Sequence, residues 1–279
     1  MTDIRACFDQ PLSPAASTSN GYVQAKLSGD TTKKADPPTV GLVQAQVLNN
    51  IGQDLRHHAL ASLTGTERII SEKDVEVTSA LTLINPVNLA FAANNAGSSL
   101  TDVNNFPSPL QRSSTVPNQK VYADKVWVDD FDSARIGVAV LDYKRPGVIQ
   151  DKEFAQACVN EEALEEVLAK TPKSKFFANA RILIKQAVNY AHMYNTKYVA
   201  LFDWNILVLL VFDRNEGLHG GDYCRVTIVK ERAKMRTCLL GFLQVAWENR
   251  DTVNGSLHPP EGSSSDEAVV QGRGTRSRP

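Results

Sequence analysis

The stretch Tyr122–Pro146, YADKVWVDDFDSARIGVAVLDYKRP, combines a β-hairpin pattern with charged residues at the ends of its two arms. Its second arm, Ile136–Lys144, is apolar on both faces until its last residues, which is typical of a central strand covered on both sides. Because side chains alternate along a strand, Asp142 and Lys144 share one face. The sequence therefore predicts a buried strand that ends in a carboxylate and an ammonium group.

The first arm of the hairpin, Lys125–Val128, follows a second acidic residue, Asp124. The polar segment Asp130–Ala134 has the composition of a turn between the arms. If the chain turns near its middle, antiparallel pairing places Asp124 roughly opposite Asp142. Cross-strand neighbours have Cβ atoms about 5 Å apart, so these two carboxylates could share one divalent cation.

These motifs resemble the signature of a nuclease superfamily. Ala123-Asp124, a hairpin and then Asp142-Tyr-Lys144 follow the order of the PD-(D/E)xK nucleases, with alanine where that family usually has proline. Downstream, Gln186-Ala-Val-Asn-Tyr190 matches the QxxxY helix motif, and the strand Tyr198–Phe202 follows it as expected for this group. The chain is most similar to the nuclease domain at the start of type I restriction-enzyme motor subunits.

The resemblance covers about residues 72–212. It implies an α/β, restriction endonuclease-like fold, with a central mixed β-sheet flanked by helices on both faces. Ser71–Glu76 with Ile84-Asn-Pro86 is similar to the first helix of the group, on which a glutamate can join the metal site. Glu76 is the candidate rather than Glu72, which would lie in the first turn as a charge favourable to the helix dipole. Both Glu72 and Glu76 could instead be solvated glutamates on the protein surface.

The resemblance also implies a reaction and its residues. Mg²⁺ or Mn²⁺ would be held by Asp124, Asp142, the main-chain carbonyl of Tyr143 and Glu76, while the catalytic set would be Asp124, Asp142, Lys144, Gln186 and Tyr190. A metal-bound water would attack a phosphodiester of DNA, and Lys144 would orient it or neutralise charge on the phosphate. Gln186 and Tyr190 are neighbours on one helix face. They could equally be a surface glutamine and a tyrosine at the edge of the core.

A second class of function stays open. A DxK sequence at a strand end is common and often forms an ion pair, so the chain could be a catalytically inactive nuclease-fold module that binds nucleic acid or protein. The sequence contains no P-loop GxxxxGK[ST], which excludes a restriction motor subunit. Four basic residues could form a patch for the DNA backbone or simply solvate the surface: Arg145, Lys152, Lys175 and Lys185.

Composition limits the partners and the location. The 279 residues carry a net charge of −1, which argues against non-specific coating of nucleic acid. The four cysteines lack CxxC spacing, so neither a zinc site nor a disulfide framework is indicated. No long apolar run or signal peptide is recognisable, which predicts a soluble intracellular protein of the nucleus or cytoplasm without membrane contact. Nothing in the sequence indicates the oligomeric state.

Composition and periodicity predict the domain bounds, helices and strands of the rest of the chain. Residues 1–38 and 252–279 are rich in Ser, Pro and Gly and are predicted to be a disordered arm and tail, leaving one domain at 39–251. Residues 94–120 have no period and are predicted to be a long loop, a possible lid over the site. Helices are predicted at Thr39–Leu63, Ser71–Phe91, Asp151–Lys170, Lys175–Asn195 and Arg232–Asn249, and strands at Tyr198–Phe202, Ile206–Phe212 and Tyr223–Lys230.

Overall fold

The computed structural model describes residues 2–12, 21–27, 30–49, 59–60, 69–107, 122–129, 136–171, 173–212 and 219–250. The strands in this part of the chain are β1 (Thr2–Asp3), β2 (Val40–Val43), β3 (Ala59–Leu60), β4 (Leu100–Pro107), β5 (Tyr122–Asp129), β6 (Ile136–Tyr143), β7 (Cys158–Val159), β8 (Tyr198–Phe202), β9 (Leu207–Phe212) and β10 (Tyr223–Val229). β1 and β3 form a small separate pair, and the other eight strands form one sheet.

The order of strands in the large sheet is β4-β5-β6-β8-β9-β10-β2-β7. Three neighbouring pairs are parallel, namely β6 with β8, β10 with β2 and β2 with β7, while the other pairs are antiparallel. The prediction of an α/β fold with a mixed sheet is therefore confirmed. The apolar strand β6 has a neighbour on each side, as its two-sided hydrophobic pattern predicts.

Helices cover both faces of this sheet. The described helices are α1 (Ile4–Phe8), α2 (Asp30–Lys34), α3 (Glu72–Ser79), α4 (Asn85–Asn94), α5 (Asp151–Ala155), α6 (Glu161–Lys170), α7 (Ala178–Met193) and α8 (Met235–Glu248). On one face Leu141 belongs to the core that contains Leu239 of α8, whereas Val140 belongs to the opposite core with Leu183 of α7. Val140 and Leu141, which are successive residues of β6, thus reach different cores, as strand alternation requires.

The hairpin of β5 and β6 has the register that places the two acidic residues together. Lys125 pairs with Leu141, so one step along each strand puts Asp124 opposite Asp142. A bulge between Trp127 and Val128 shifts the register only nearer the turn. The turn itself, residues 130–135, lies outside the described residues.

Helix α3 begins at the predicted cap. Ser71 Oγ accepts the Asp74 N–H at 3.1 Å, and the Asp74 carboxylate accepts the Ser71 N–H at 2.8 Å, which completes a capping box. A π-helical segment at Ala80–Ile84 then leads into α4, whose second residue is Pro86. Within the described chain, the run Glu72–Asn94 is the one helix long and apolar enough to cross a membrane, and half of its most apolar window is buried inside the fold.

Three expectations about the secondary structure are wrong. The helix predicted at Thr39–Leu63 is strand β2 at its start, because Val40–Val43 pairs with β10 and β7. Residues 50–58 lie outside the described residues. The loop predicted at residues 94–120 contains β4, a polar edge strand paired with β5, and residues 108–121 are not among those described. The helix predicted at Asp151–Lys170 is divided into α5 and α6 by β7.

The described parts of the N-terminal segment are packed on the domain, contrary to the predicted disordered arm. Ile4, Phe8 and Leu12 are buried, because their spacing of four residues places them on one side of the chain against the core of α4 and α8. The Arg236 guanidinium of α8 donates hydrogen bonds of 2.6 Å to the carbonyls of Cys7 and Gln10. The predicted tail at 252–279 lies outside the described residues.

Candidate active site

Asp124 and Asp142 line one cavity of about 370 Å³ at the end of the β5–β6 hairpin. Asp124 Oδ2 accepts the backbone N–H of Tyr143 at 2.7 Å, which fixes this carboxylate beside the next residue of the neighbouring strand. Asp142 is almost completely buried, whereas Asp124 is partly exposed to the cavity. Two adjacent strands therefore direct two carboxylates into one space.

The closeness of these carboxylates perturbs Asp124. Burial, followed by the negative charge of Asp142, raises the pKa of Asp124 to about 8. The Tyr143 N–H and the Lys144 ammonium lower this pKa but do not offset the first two effects. At neutral pH and without a cation, the site therefore keeps a proton on Asp124 rather than two adjacent negative charges.

Lys144 completes the end of β6 as the sequence predicts. Its Nζ lies 2.5 Å from Asp142 Oδ2, and both side chains are buried. Burial lowers the pKa of Lys144, but the charges of Asp142, Glu72 and Asp124 together raise it, so the ammonium form persists. The Lys144 backbone N–H donates to the Phe202 carbonyl at 2.8 Å, which anchors it to β8.

Gln186 and Tyr190 reach the same cavity from α7. The Tyr190 hydroxyl donates to Asp142 Oδ1 at 3.3 Å, and burial followed by the charge of Asp142 keeps the pKa of Tyr190 well above its usual value. Gln186 Nε2 donates to the Lys26 carbonyl at 2.8 Å, while its buried Oε1 accepts no hydrogen bond from the described residues. Tyr190 therefore orients Asp142, and Gln186 holds the Lys26 backbone beside the cavity.

The glutamate at this cavity is Glu72 rather than the expected Glu76. Glu76 forms an ion pair of 2.8 Å with Lys73 and does not line the cavity, whereas Glu72 does. Partial burial raises the pKa of Glu72, Lys144 lowers it, and the charge of Asp142 raises it again. Helix α3 begins at the cavity, so four residues further along its axis Glu76 is about 6 Å away from that end.

Of the four predicted DNA-contacting residues, Arg145 lines the cavity, and its Nε donates to the Ile70 carbonyl at 3.1 Å. Lys185 Nζ donates to the Lys33 carbonyl at 2.7 Å. Lys152 and Lys175 are exposed and do not line the cavity. The four residues thus do not gather at the cavity.

Two buried polar residues that the sequence analysis did not identify hold the surroundings in place. Asn179 at the start of α7 donates to the carbonyls of Val23 and Val148 and accepts the Ala25 N–H at 2.8 Å. Asp203, after β8, accepts four backbone N–H groups, those of Gly147, Ile149, Asn205 and Ile206. The Asn179 partners named here are backbone groups up to 156 residues away, so no short motif reveals this contact.

The donors at the cavity suit a hard divalent cation with few protein ligands. Among the described residues, no group of three or more His, Cys, Asp and Glu side chains is arranged to hold a metal ion. Mg²⁺, however, often takes one or two carboxylates and keeps several waters. Asp124 and Asp142 supply two carboxylates, and Asp142 Oδ2 is held by the Lys144 ammonium at 2.5 Å. The raised pKa of Asp124 shows that a second negative charge is unfavourable beside Asp142, and a bound cation would offset this repulsion.

No protein-family model, curated protein or solved structure matches this chain.

Proposed function

We propose that this cavity is the active site of a metal-dependent nuclease that hydrolyses phosphodiester bonds in DNA. The observation that carries the proposal is the meeting of Asp124, Asp142 and Lys144 in one cavity with Gln186 and Tyr190 of α7. This is the set that the resemblance to PD-(D/E)xK nucleases implies, and we propose a restriction endonuclease-like fold for the sheet and helices around it.

The cation would be Mg²⁺ or Mn²⁺, held by Asp124 and Asp142, with the Tyr143 carbonyl as a further oxygen ligand. When bound, it would lower the pKa of a coordinated water and withdraw charge from the phosphate. Glu72 lines the same cavity and replaces Glu76 as our candidate for the additional carboxylate. The two glutamates therefore provide a matched pair for mutagenesis on one helix.

The remaining residues position the reacting groups. Lys144 lies against Asp142 and would stabilise the negative charge that develops on the phosphate or orient the attacking water. Tyr190 donates a hydrogen bond to Asp142 and keeps that carboxylate facing the cavity. Gln186 lines the cavity, and its amide Nε2 holds the Lys26 carbonyl at 2.8 Å.

One observation favours the alternative, a catalytically inactive module of the same fold that binds nucleic acid or protein. Lys144 already contacts Asp142 Oδ2 at 2.5 Å, which occupies an oxygen that a cation would need. An ion pair of this kind can stabilise a strand end without any catalysis. The raised pKa of Asp124 favours the enzyme, because Lys144 does not compensate for placing two carboxylates together and a bound cation would.

Nicking of a supercoiled plasmid separates these two functions. Wild type should nick with Mg²⁺ or Mn²⁺ and not with EDTA, and Lys144→Met should lose nicking by orders of magnitude while still binding Mn²⁺. Glu76→Gln should retain the activity that Glu72→Gln reduces. A wild type that binds DNA but shows no metal-dependent nicking would support the inactive module instead.

A further inference from the structure

The N-terminal segment Gly21–Leu27 forms one wall of the cavity, although the sequence predicts it to be disordered. Its residues 23–26 line the cavity directly. The Val23 N–H donates to the Gly147 carbonyl at 3.1 Å, so the segment is attached to the loop that follows β6. Asn179 Nδ2 donates to the Val23 carbonyl at 2.6 Å and attaches the same segment to α7.

Lys26 lies in this wall near Gln186. The Gln186 Nε2 donates to the Lys26 carbonyl at 2.8 Å, which fixes the lysine backbone beside the cavity. The Lys26 side chain is exposed, and among the residues that the structure describes it has no carboxylate within ion-pair distance. Lys144, in contrast, is paired with Asp142. A lysine at a cavity without a carboxylate partner has its charge available for a ligand.

The charges around the cavity indicate which ligand that is. Three carboxylates line it, those of Glu72, Asp124 and Asp142, together with three cations, those of Lys26, Lys144 and Arg145. A divalent cation among the carboxylates would leave the cavity positive and suited to an anion. Because Lys144 is held at Asp142 and the Arg145 Nε donates to the Ile70 carbonyl, Lys26 is the cation best placed to engage that anion.

We propose that Lys26 binds a phosphate of the nucleic-acid backbone in this cavity, which makes the N-terminal segment part of the substrate site. The inference rests on the proposed function, because it takes the ligand to be DNA. Lys26 is a substrate-binding residue in this proposal and takes no part in the bond cleavage. Its contact is independent of base sequence, as contacts to phosphates are.

The salt dependence of DNA binding tests this contact directly. Binding of fluorescein-labelled single-stranded DNA is measured over a series of NaCl concentrations with Ca²⁺ in place of Mg²⁺, so that a divalent cation is present among the carboxylates. Gel electrophoresis confirms that the strand stays intact. Log affinity falls as log salt concentration rises, and each lost phosphate contact decreases the steepness of this fall by about 0.7 for a single strand. Lys26→Gln and Lys26→Met should both show this decrease, and Lys26→Arg should keep the wild-type slope. Lys34→Gln is the matched control, since Lys34 is exposed on α2 and does not line the cavity.

The outcomes separate this inference from the proposed function. A wild-type slope in Lys26→Gln and Lys26→Met would overturn the inference, even if wild type nicks plasmid. A smaller slope in both variants, with a wild type that never nicks, would support the inference while the cleavage proposal fails. Absence of any DNA binding by wild type would overturn the inference. A thermal melt of each variant shows whether it is folded. The slope is interpreted for whichever of Lys26→Gln and Lys26→Met remains folded.

Discussion

Replacing Asp124 by asparagine should stabilise the metal-free protein, and the gain should grow with pH. The amide of asparagine is close to the shape of a protonated carboxyl and can still accept the Tyr143 N–H that Asp124 accepts at 2.7 Å. The substitution removes the acidic group whose pKa burial and the charge of Asp142 raise to about 8. The variant therefore has a neutral amide beside the Asp142 carboxylate at every pH.

The magnitude follows from the displaced pKa. The folded pKa is about 8 and the ordinary value is 3.8, so the folded state binds more protons than the unfolded state between these values. Stability from this group is therefore complete below about pH 4 and is lost as pH rises towards 8. At pH 7 the loss is at most about 4 kcal/mol, since each unit corresponds to about 1.4 kcal/mol. Screening by water at the partly exposed Asp124 reduces this to about 2 kcal/mol.

Urea unfolding of wild type and Asp124→Asn in EDTA, from about pH 4 to 8.5, measures the effect. Ionisable groups away from the cavity contribute equally to both proteins, so the difference in unfolding free energy reports Asp124 together with the groups coupled to it, Asp142, Lys144 and Glu72. The two proteins should be nearly equally stable at the acidic end, and the variant should be more stable at pH 8. A variant that is less stable than wild type throughout, or a difference that does not change with pH, would refute the electrostatic account of the site.

Three further perturbations have expected outcomes of their own. Asp142→Asn should destabilise the metal-free protein by about 3 kcal/mol in urea unfolding, because it leaves the buried Lys144 ammonium without its partner; an unchanged midpoint would contradict the ion pair. Asn179→Ala should cost about 3 kcal/mol and make residues 21–27 sensitive to protease, since three buried backbone groups lose their partner; protection equal to wild type would count against this anchor. Deletion of residues 1–38 should lower the melting temperature by at least about 10 °C, because Ile4 and Phe8 leave the core; a shift of a degree or two would restore the expectation of a disordered arm.

The features that the sequence predicts correctly depend on short-range patterns. Strand β6 is recognisable because both of its faces are apolar, and its hairpin with β5 brings Asp124 opposite Asp142 through local pairing. The capping box at the start of α3 is likewise a contact between Ser71 and Asp74, three residues apart. Side chains joined by such local geometry can be placed together before any fold is known.

The features that the sequence does not predict depend on distant partners. Apolar residues at β2 recur at helical spacing, but pairing with β10 and β7 determines their conformation. The N-terminal segment has too few apolar residues to form a core by itself, and its described parts are held in place by packing and by Asn179. The choice between Glu72 and Glu76 depends on where the helix begins relative to the cavity, which composition does not encode.

The central claim is that Asp124 and Asp142 hold one divalent cation between them, and a Mn²⁺ titration followed by electron paramagnetic resonance tests it most directly. Wild type should bind Mn²⁺ in competition with Mg²⁺, Asp124→Asn and Asp142→Asn should both lose this site, and Glu76→Gln should keep it. Circular dichroism of each variant confirms that loss of binding is not loss of fold. Wild-type Mn²⁺ affinity in both folded aspartate variants, or no Mn²⁺ binding by wild type, would contradict the account.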